Sequence, residues 1–238
     1  MLQKKTLIII PAFNEEGNIV KTIRELQSLP LALSIVVIND GSKDLTAQEA
    51  RSVGVPVLTL PFNLGIGGAM QTGFQFAQRN NFDIAVQVDG DCQHDGAYLA
   101  AILDPILKNE ADMTIGSRFL PPNLGYQSSF VRRIGINFFA GLISLISQYK
   151  VTDPTSGFRA FNHKMIKIFA ENYPSDFPEP EAIMIAGRYK AKIKEVSVQM
   201  RKRSSGNSSI RYFKTLYYML KVTLAIILAK LKKKKEAT

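Results

Sequence analysis

The sequence predicts an α/β protein with a mostly parallel central sheet covered by helices on both faces. Short apolar runs of strand length alternate with segments of helical length from the N-terminus onward. The runs end abruptly in polar turns, Pro11-Ala12-Phe13-Asn14, Asn39-Asp40-Gly41-Ser42 and Asp89-Gly90-Asp91, at the carboxyl ends of strands, where open α/β sheets bind their ligands. Of the 238 residues 46% are hydrophobic, enough for one sizeable core.

In order, residues 7–10 form a first strand stopped by Pro11, and Asn14 is placed to cap a helix over 15–29 with Glu15 and Glu16 in its first turn. A second strand over 34–38 leads into Asn39-Asp40-Gly41-Ser42, a helix over 45–53 and a third strand over 56–60. Asn63-Leu64-Gly65-Ile66-Gly67-Gly68-Ala69 opens a helix to Gln78. A dinucleotide fingerprint would need a third glycine where Met70 stands, so this is a tight strand-to-helix turn, either packed closely or open to an anion at the helix N-terminus. The fourth strand, 84–88, is rich in β-branched residues. A helix through 98–107 follows, then a short strand over 112–115 ending in Gly116-Ser117-Arg118-Phe119, and Pro121-Pro122 as a break. Residues 134–147 are almost wholly apolar at helical length. They suit burial in the core by default, or a membrane surface or the lining of a lipid groove, and fall short of the ~20 residues of a span. A polar loop with Asp153 and Arg159 precedes a strand-like Ala160-Phe161. Glu179 and Glu181 then start a helix, and 193–198 is the last strand.

Charge divides the chain. Residues 1–200 hold nineteen basic and nineteen acidic residues, whereas 201–238 hold eleven basic residues and one acid, Glu236. The whole excess of the net +10 therefore sits in the tail. The apolar run at 216–231 within it favours an anionic membrane surface over nucleic acid. We therefore divide the chain into a catalytic domain over 1–210 and a basic, amphipathic membrane-associating helix and tail over 211–238. At 100° per residue Arg211, Lys214, Tyr218, Lys221, Ala225 and Lys232 share one stripe of that helix, with packing on protein as the competing use of its apolar face. No secretory signal is readable at the N-terminus, and the catalytic part is expected in the cytoplasm, peripheral on the cytoplasmic face of the membrane. The single cysteine, Cys92, excludes an internal disulfide and a zinc site built on several thiolates.

The chemistry concentrates in Asp89-Gly90-Asp91-Cys92-Gln93. Two carboxylates two residues apart at a strand end, with a glycine between them to let the chain turn, can aim at one point. Asp91 with Gln93, and Asp89 nearby, form a partial oxygen shell for Mg²⁺ or Mn²⁺, which keep positions open for substrate phosphates.

The ordered series Pro11-Ala12-Phe13-Asn14-Glu15, Asp40-Gly41-Ser42, Asn63-x-Gly65-x-Gly67-x-Ala69, Asp89-x-Asp91-x-Gln93, Gly116-Ser117-Arg118, Arg132-Arg133, Thr155-Ser156-Gly157-Phe158-Arg159 and Arg203-x-x-Gly206-x-Ser208 resembles a family 2 glycosyltransferase close to the dolichyl- or polyprenyl-phosphate sugar synthases. The resemblance covers about residues 6–210 and implies a GT-A fold. It implies that Pro11, Phe13, Glu15 and Gly67 border the nucleotide of a UDP- or GDP-linked sugar, with Asp40 on the base or ribose. Asp89 would lie by the ribose and metal, with Asp91 and Gln93 on the metal. Arg118, Arg132, Arg133 and Arg203, with Ser156 and Ser208, would contact phosphate, as guanidinium forks suit phosphate oxygens. Asn39 stands where many relatives carry a second Asp, and Gly135 where some carry a serine.

The nucleophile decides the mechanism. A lipid phosphate is already an anion, whereas a sugar hydroxyl needs a carboxylate to take its proton. Glu179 and Glu181 are the candidates for that base, so Asp91, Arg118 and Glu181 make up the expected catalytic set. The expected function is inverting transfer of a sugar to polyprenyl phosphate for envelope glycan synthesis. A saccharide hydroxyl as acceptor is the alternative, followed by a nucleotidyltransferase and a basic-tailed nucleic-acid binder. Nothing in the sequence sets the oligomeric state, and a homo-oligomer stays open.

Overall fold

A computed structural model describes residues 4–121, 138, 140–144, 149–176, 178–201, 223 and 224. Arg132, Arg133, Arg203 and Ser208 lie outside the described residues, as does the tail over 211–238 apart from 223 and 224.

Seven strands, β1 (Thr6–Ala12), β2 (Leu33–Asn39), β3 (Val57–Thr59), β4 (Ile84–Gln87), β5 (Met113–Ser117), β6 (Arg159–Asn162) and β7 (Ile193–Ser197), form one sheet in the order β3-β2-β1-β4-β6-β5-β7. Every pairing is parallel except those of β6, which runs antiparallel between β4 and β5. The α-helices with both ends among the described residues are α1 (Ile19–Ser28), α2 (Thr46–Ser52), α3 (Gly65–Arg79), α4 (Leu99–Leu107), α5 (His163–Asn172) and α6 (Pro178–Arg188). β1 explains why its run is apolar throughout: Leu7 and Ile9 enter the core shared with α3 and α5, while Ile8 and Ile10 enter the core shared with α1 and α4.

Pro11 does not stop β1, which continues to Ala12. The Ile9 carbonyl accepts from Val88 N–H, so alternate residues of β1 bond toward β4. The position lacking an N–H at Pro11 falls where the β4 ladder has already ended, at Gln87. The first helix also starts later than expected, at Ile19, with Asn18 as its N-cap residue. Asn14 instead adopts φ +55 and braces a loop, donating its N–H to Ser42 Oγ and accepting from Lys43 N–H through Oδ1, both at 3.0 Å.

Helix α5 has no counterpart in the sequence reading. Asn162 caps it, accepting from Met165 N–H at 3.1 Å, and Met165, Ile166, Phe169 and Ala170 form its buried stripe. The spacing of those four residues was the available signal. In the apolar stretch 134–147 the described residues are helical, and Ile143 is fully buried while Phe138 is 46% exposed. Ile143 therefore contributes to the core, with Leu142 packed against it.

Candidate active site

The site is built where β4 ends. Asp89 is held from three sides. Its backbone N–H donates to His94 Nδ1 at 3.0 Å, and His94 Nε2 lies 3.6 Å from its Oδ2. Gln87 Nε2 donates to Oδ1 at 3.2 Å. Gly157 closes the third side, since a Cβ there would lie 2.9 Å from Gln87 Nε2 and 3.0 Å from Asp89 Oδ2. His94 is itself clamped by stacking on Phe158, centroids 4.8 Å apart.

Gly90 is not what turns the chain. Its φ is not positive, and a Cβ would meet only ordinary contacts at 3.5 Å. The left-handed residue is Cys92, at φ +63. Its Sγ donates to the Asn18 carbonyl at 3.4 Å and lies 3.3 Å from Thr22 Oγ1, so the thiol is turned onto α1 and away from the carboxylates. Asp91, 8% exposed, accepts Gln93 N–H on Oδ1 at 3.0 Å. Gln93 points its amide nitrogen at the Arg201 carbonyl, 3.4 Å away.

The loops after β1, β2 and β3 adjoin this edge. Asp40 is buried and accepts Leu64 N–H at 2.7 Å, bracing the start of α3. Burial raises its pKa, and the Leu64 and Gly65 N–H groups oppose that rise. Gly41 has φ +71 and sits against the Phe62–Asn63 backbone, where a Cβ would lie 2.9 Å away. Glu15 is buried, donates its N–H to Thr46 Oγ1 at 2.8 Å and accepts from Asn18 Nδ2 at 3.0 Å. Phe13 is 44% exposed beside it in sequence. Asn39 accepts Ser42 N–H at 3.2 Å and so shapes the same turn.

At Gly67 the glycine turn is closely packed. A Cβ there would overlap the Pro174 and Ser175 carbonyl oxygens, at 2.3 and 2.5 Å, so this glycine serves close packing of α3 on the 173–176 segment.

Across β4 the expected phosphate contacts have other partners. Arg118 is buried, with Nε 2.6 Å from Asp153 Oδ2, Nη2 2.7 Å from Oδ1 and Nη2 2.9 Å from Thr155 Oγ1. Asp153 is fully buried and also accepts Arg118 N–H at 3.1 Å. Arg118 therefore locks the 152–156 loop through a bidentate pair. Ser156 is buried and accepts Phe158 N–H at 3.3 Å. Glu195 on β7 accepts the N–H groups of Thr152 and Asp153, each at 2.9 Å; burial raises its pKa and those donors oppose the rise.

Arg159, fully buried, donates to three backbone carbonyls: Ser156 at 2.7 Å, Glu179 at 2.7 Å and Pro154 at 2.9 Å. It pairs with Gln87 across β4 and β6, which ties the loop and the start of α6 to the strand that carries Asp89. Glu179 keeps partial exposure as a residue, yet its carboxyl is enclosed. Burial raises its pKa, the Arg159 guanidinium opposes the rise, and Asp89 adds to it. Glu181 lies in the first turn of α6, partly exposed. Asp153, Arg159, His94 and Glu195 were not assigned from the sequence. For His94 the signal was its place in the same loop, for Asp153 and Arg159 it was the polar loop and the family series that ends in Arg159, and for Glu195 nothing local distinguishes it.

The family model of glycosyl transferase family 2 matches residues 7–169. The chain belongs to that family. Among relatives of this family 2 transferase, an uncharacterized protein of Methanocaldococcus jannaschii is 35% identical over 90% of both chains. The UDP-N-acetylglucosamine–dolichyl-phosphate N-acetylglucosaminyltransferase of Methanococcus voltae is 28% identical over 96% of this chain and 100% of its own. The fold is GT-A: glucosyl-3-phosphoglycerate synthase of Mycobacterium tuberculosis, crystallised with Mn²⁺, UDP and phosphoglyceric acid, superposes with a TM-score of 0.73 over 98% of this chain and 80% of its own, at 17% identity.

The donor set fits a hard cation. Its side chains, Asp89, Asp91 and Gln93, offer oxygen, and the one thiol nearby is turned onto α1. Among the described residues no group of three or more His, Cys, Asp or Glu stands where it could hold a metal ion.

Proposed function

We propose that the chain is an inverting glycosyltransferase that moves a sugar from a nucleoside-diphosphate sugar to polyprenyl phosphate on the cytoplasmic face of the membrane. The observation that carries this reading is the full-length likeness to a dolichyl-phosphate N-acetylglucosaminyltransferase, supported by the paired carboxylates at the end of β4. A phosphate oxygen of the acceptor attacks the anomeric carbon as the bond to the nucleoside diphosphate breaks. One displacement inverts the configuration, and no general base is needed.

Asp89, Asp91 and Gln93 would hold Mg²⁺ or Mn²⁺, which when bound neutralises charge on the diphosphate leaving group. Asp91, almost fully buried, meets that charge in a low-dielectric setting. Pro11, Phe13, Glu15 and Asp40 border the nucleotide in this reading, and Arg132, Arg133, Arg203 and Ser208 meet the acceptor phosphate. Arg118 acts as a positioning residue, holding Asp153 and hence the loop with Ser156 and Gly157 beside Asp89. Among the described residues no helix is long and apolar enough to cross a membrane. In this proposal the basic stretch 211–238 provides attachment to anionic lipid. Vesicle sedimentation of a folded protein lacking it should show lost binding, and unchanged binding would sink that role.

The enclosed Glu179, with its raised pKa and its proximity in charge to Asp89, favours a second reading in which a saccharide hydroxyl is the acceptor. Incubation with UDP- and GDP-sugars, UDP-N-acetylglucosamine first, together with Mn²⁺ and polyprenyl phosphate should yield a glycosyl phospholipid. Product formed only on saccharide acceptors would overturn the first reading. In that case Glu179→Gln or Glu181→Gln should be inactive with substrate binding intact.

A further inference from the structure

We propose that Arg201 and Glu25 are positioning residues for the carboxylate loop that follows β4. The chain leaving β7 returns across that loop. Met200 bridges His94 in antiparallel fashion, Arg201 N–H donates to the Gln93 carbonyl at 2.9 Å, and Gln93 Nε2 donates back to the Arg201 carbonyl. The Arg201 guanidinium then forks, Nη1 lying 2.6 Å from Glu25 Oε2 and Nη2 2.8 Å from Asp95 Oδ1. Each carboxylate also holds backbone. Glu25 Oε1 accepts Gly96 N–H at 2.8 Å, and Asp95 Oδ1 accepts Ala97 N–H at 3.0 Å. Residues 93–96 are thereby fixed between α1 and the 200–201 segment.

The arrangement serves geometry more than stability. Arg201 is 45% exposed and Glu25 29% exposed, and exposed ion pairs contribute little to folding. What they hold begins two residues beyond Asp91, next to Cys92 in its left-handed conformation. A backbone in that region keeps its shape only when its surroundings over-determine it. Gly96 belongs to the same fit, because a Cβ there would lie 3.0 Å from Glu25 Oε1. The inference rests on the proposed roles of Asp91 and Gln93, and extends them to two side chains outside the proposed metal-binding set.

The test is calorimetric binding of UDP and GDP, with and without Mn²⁺, to the full chain and to Arg201→Ala and Glu25→Gln, with thermal unfolding alongside. Glu25→Gln keeps the oxygen that takes Gly96 N–H and replaces the charged acceptor facing Arg201 with an NH2 group. Both variants should weaken Mn²⁺-dependent nucleotide binding on the order of 10-fold, the usual scale for residues that orient metal ligands. The double variant should be little worse than either single one, Arg201→Lys should recover part of the loss, and the unfolding midpoints should barely move. Unchanged affinity in Arg201→Ala, or a loss that tracks a falling midpoint, overturns the inference. Failure of the unaltered chain to bind either nucleotide with Mn²⁺ overturns the proposed function first, and this inference with it.

Discussion

The loops after β1 and β2 and the loop over 152–159 meet at the same edge of one sheet, and they are held by opposite means. On the β1–β2 side, short polar side chains take single backbone N–H groups near solvent: Ser42 from Asn14, Asp44 from Glu16, and Glu49 from Gly17. On the other side, ions are buried together. Arg118 grips Asp153, Arg159 grips three carbonyls, and Glu195 grips two amides. A buried network is costly to break because a surviving charge is left short of compensation in the interior, whereas an exposed bond is replaced by water. The exposed bonds of the first side therefore yield more easily than the buried network that packs against Asp89.

The contrast is most exposed to failure at Asp153. Asp153→Ala strands the Arg118 charge in the interior and should cost about 3–5 kcal/mol in urea unfolding; a loss under about 1 kcal/mol would show that the buried side is no stiffer than the exposed one. At the seam between the sides, Asp91→Ala should lower kcat by roughly 10²–10³ with the far-ultraviolet circular dichroism unchanged. Full turnover in that variant, or in excess chelator, would remove the carboxylate loop from the mechanism. Gly157→Ala presses a methyl group between Gln87 and Asp89. It should reduce kcat/KM about 10-fold, the scale for disturbing a residue that orients a metal ligand, and kinetics at wild-type level would mean that Asp89 needs no such clamp. Smallest is Ser42→Ala, which removes one exposed bond to Asn14 and should cost about 0.5–1.5 kcal/mol. A larger loss on thermal melting would place the β1–β2 loops among the rigid parts.

Legibility followed the range of the interaction. The strands β1, β2 and β4 could be read because burial on both faces makes them largely apolar along their own lengths. The Asp89–Asp91 pair could be read because both carboxylates lie within one turn. Asn14 misled because a residue suited to an N-cap is equally suited to a left-handed loop position, and only the neighbouring Ser42 and Lys43 decide between them. Gly90 and Cys92 exchanged roles for a related reason. Contacts to Thr22 and Asn18 hold Cys92 at positive φ, and no local rule selects a cysteine for that conformation.

What the sequence determined by itself was therefore the alternating α/β order, the carboxylate pair at a strand end, and the concentration of positive charge after residue 200. Each depends on residues a few positions apart. The tertiary structure alone decided that β6 enters antiparallel between β4 and β5, which brings Arg159 beside Gln87 and Gly157 against Asp89. It also decided that Arg118 faces Asp153, 35 positions away. An arginine in a polar loop has the same local signature whether it meets a phosphate or a buried carboxylate, and the choice is made by what the fold packs around it.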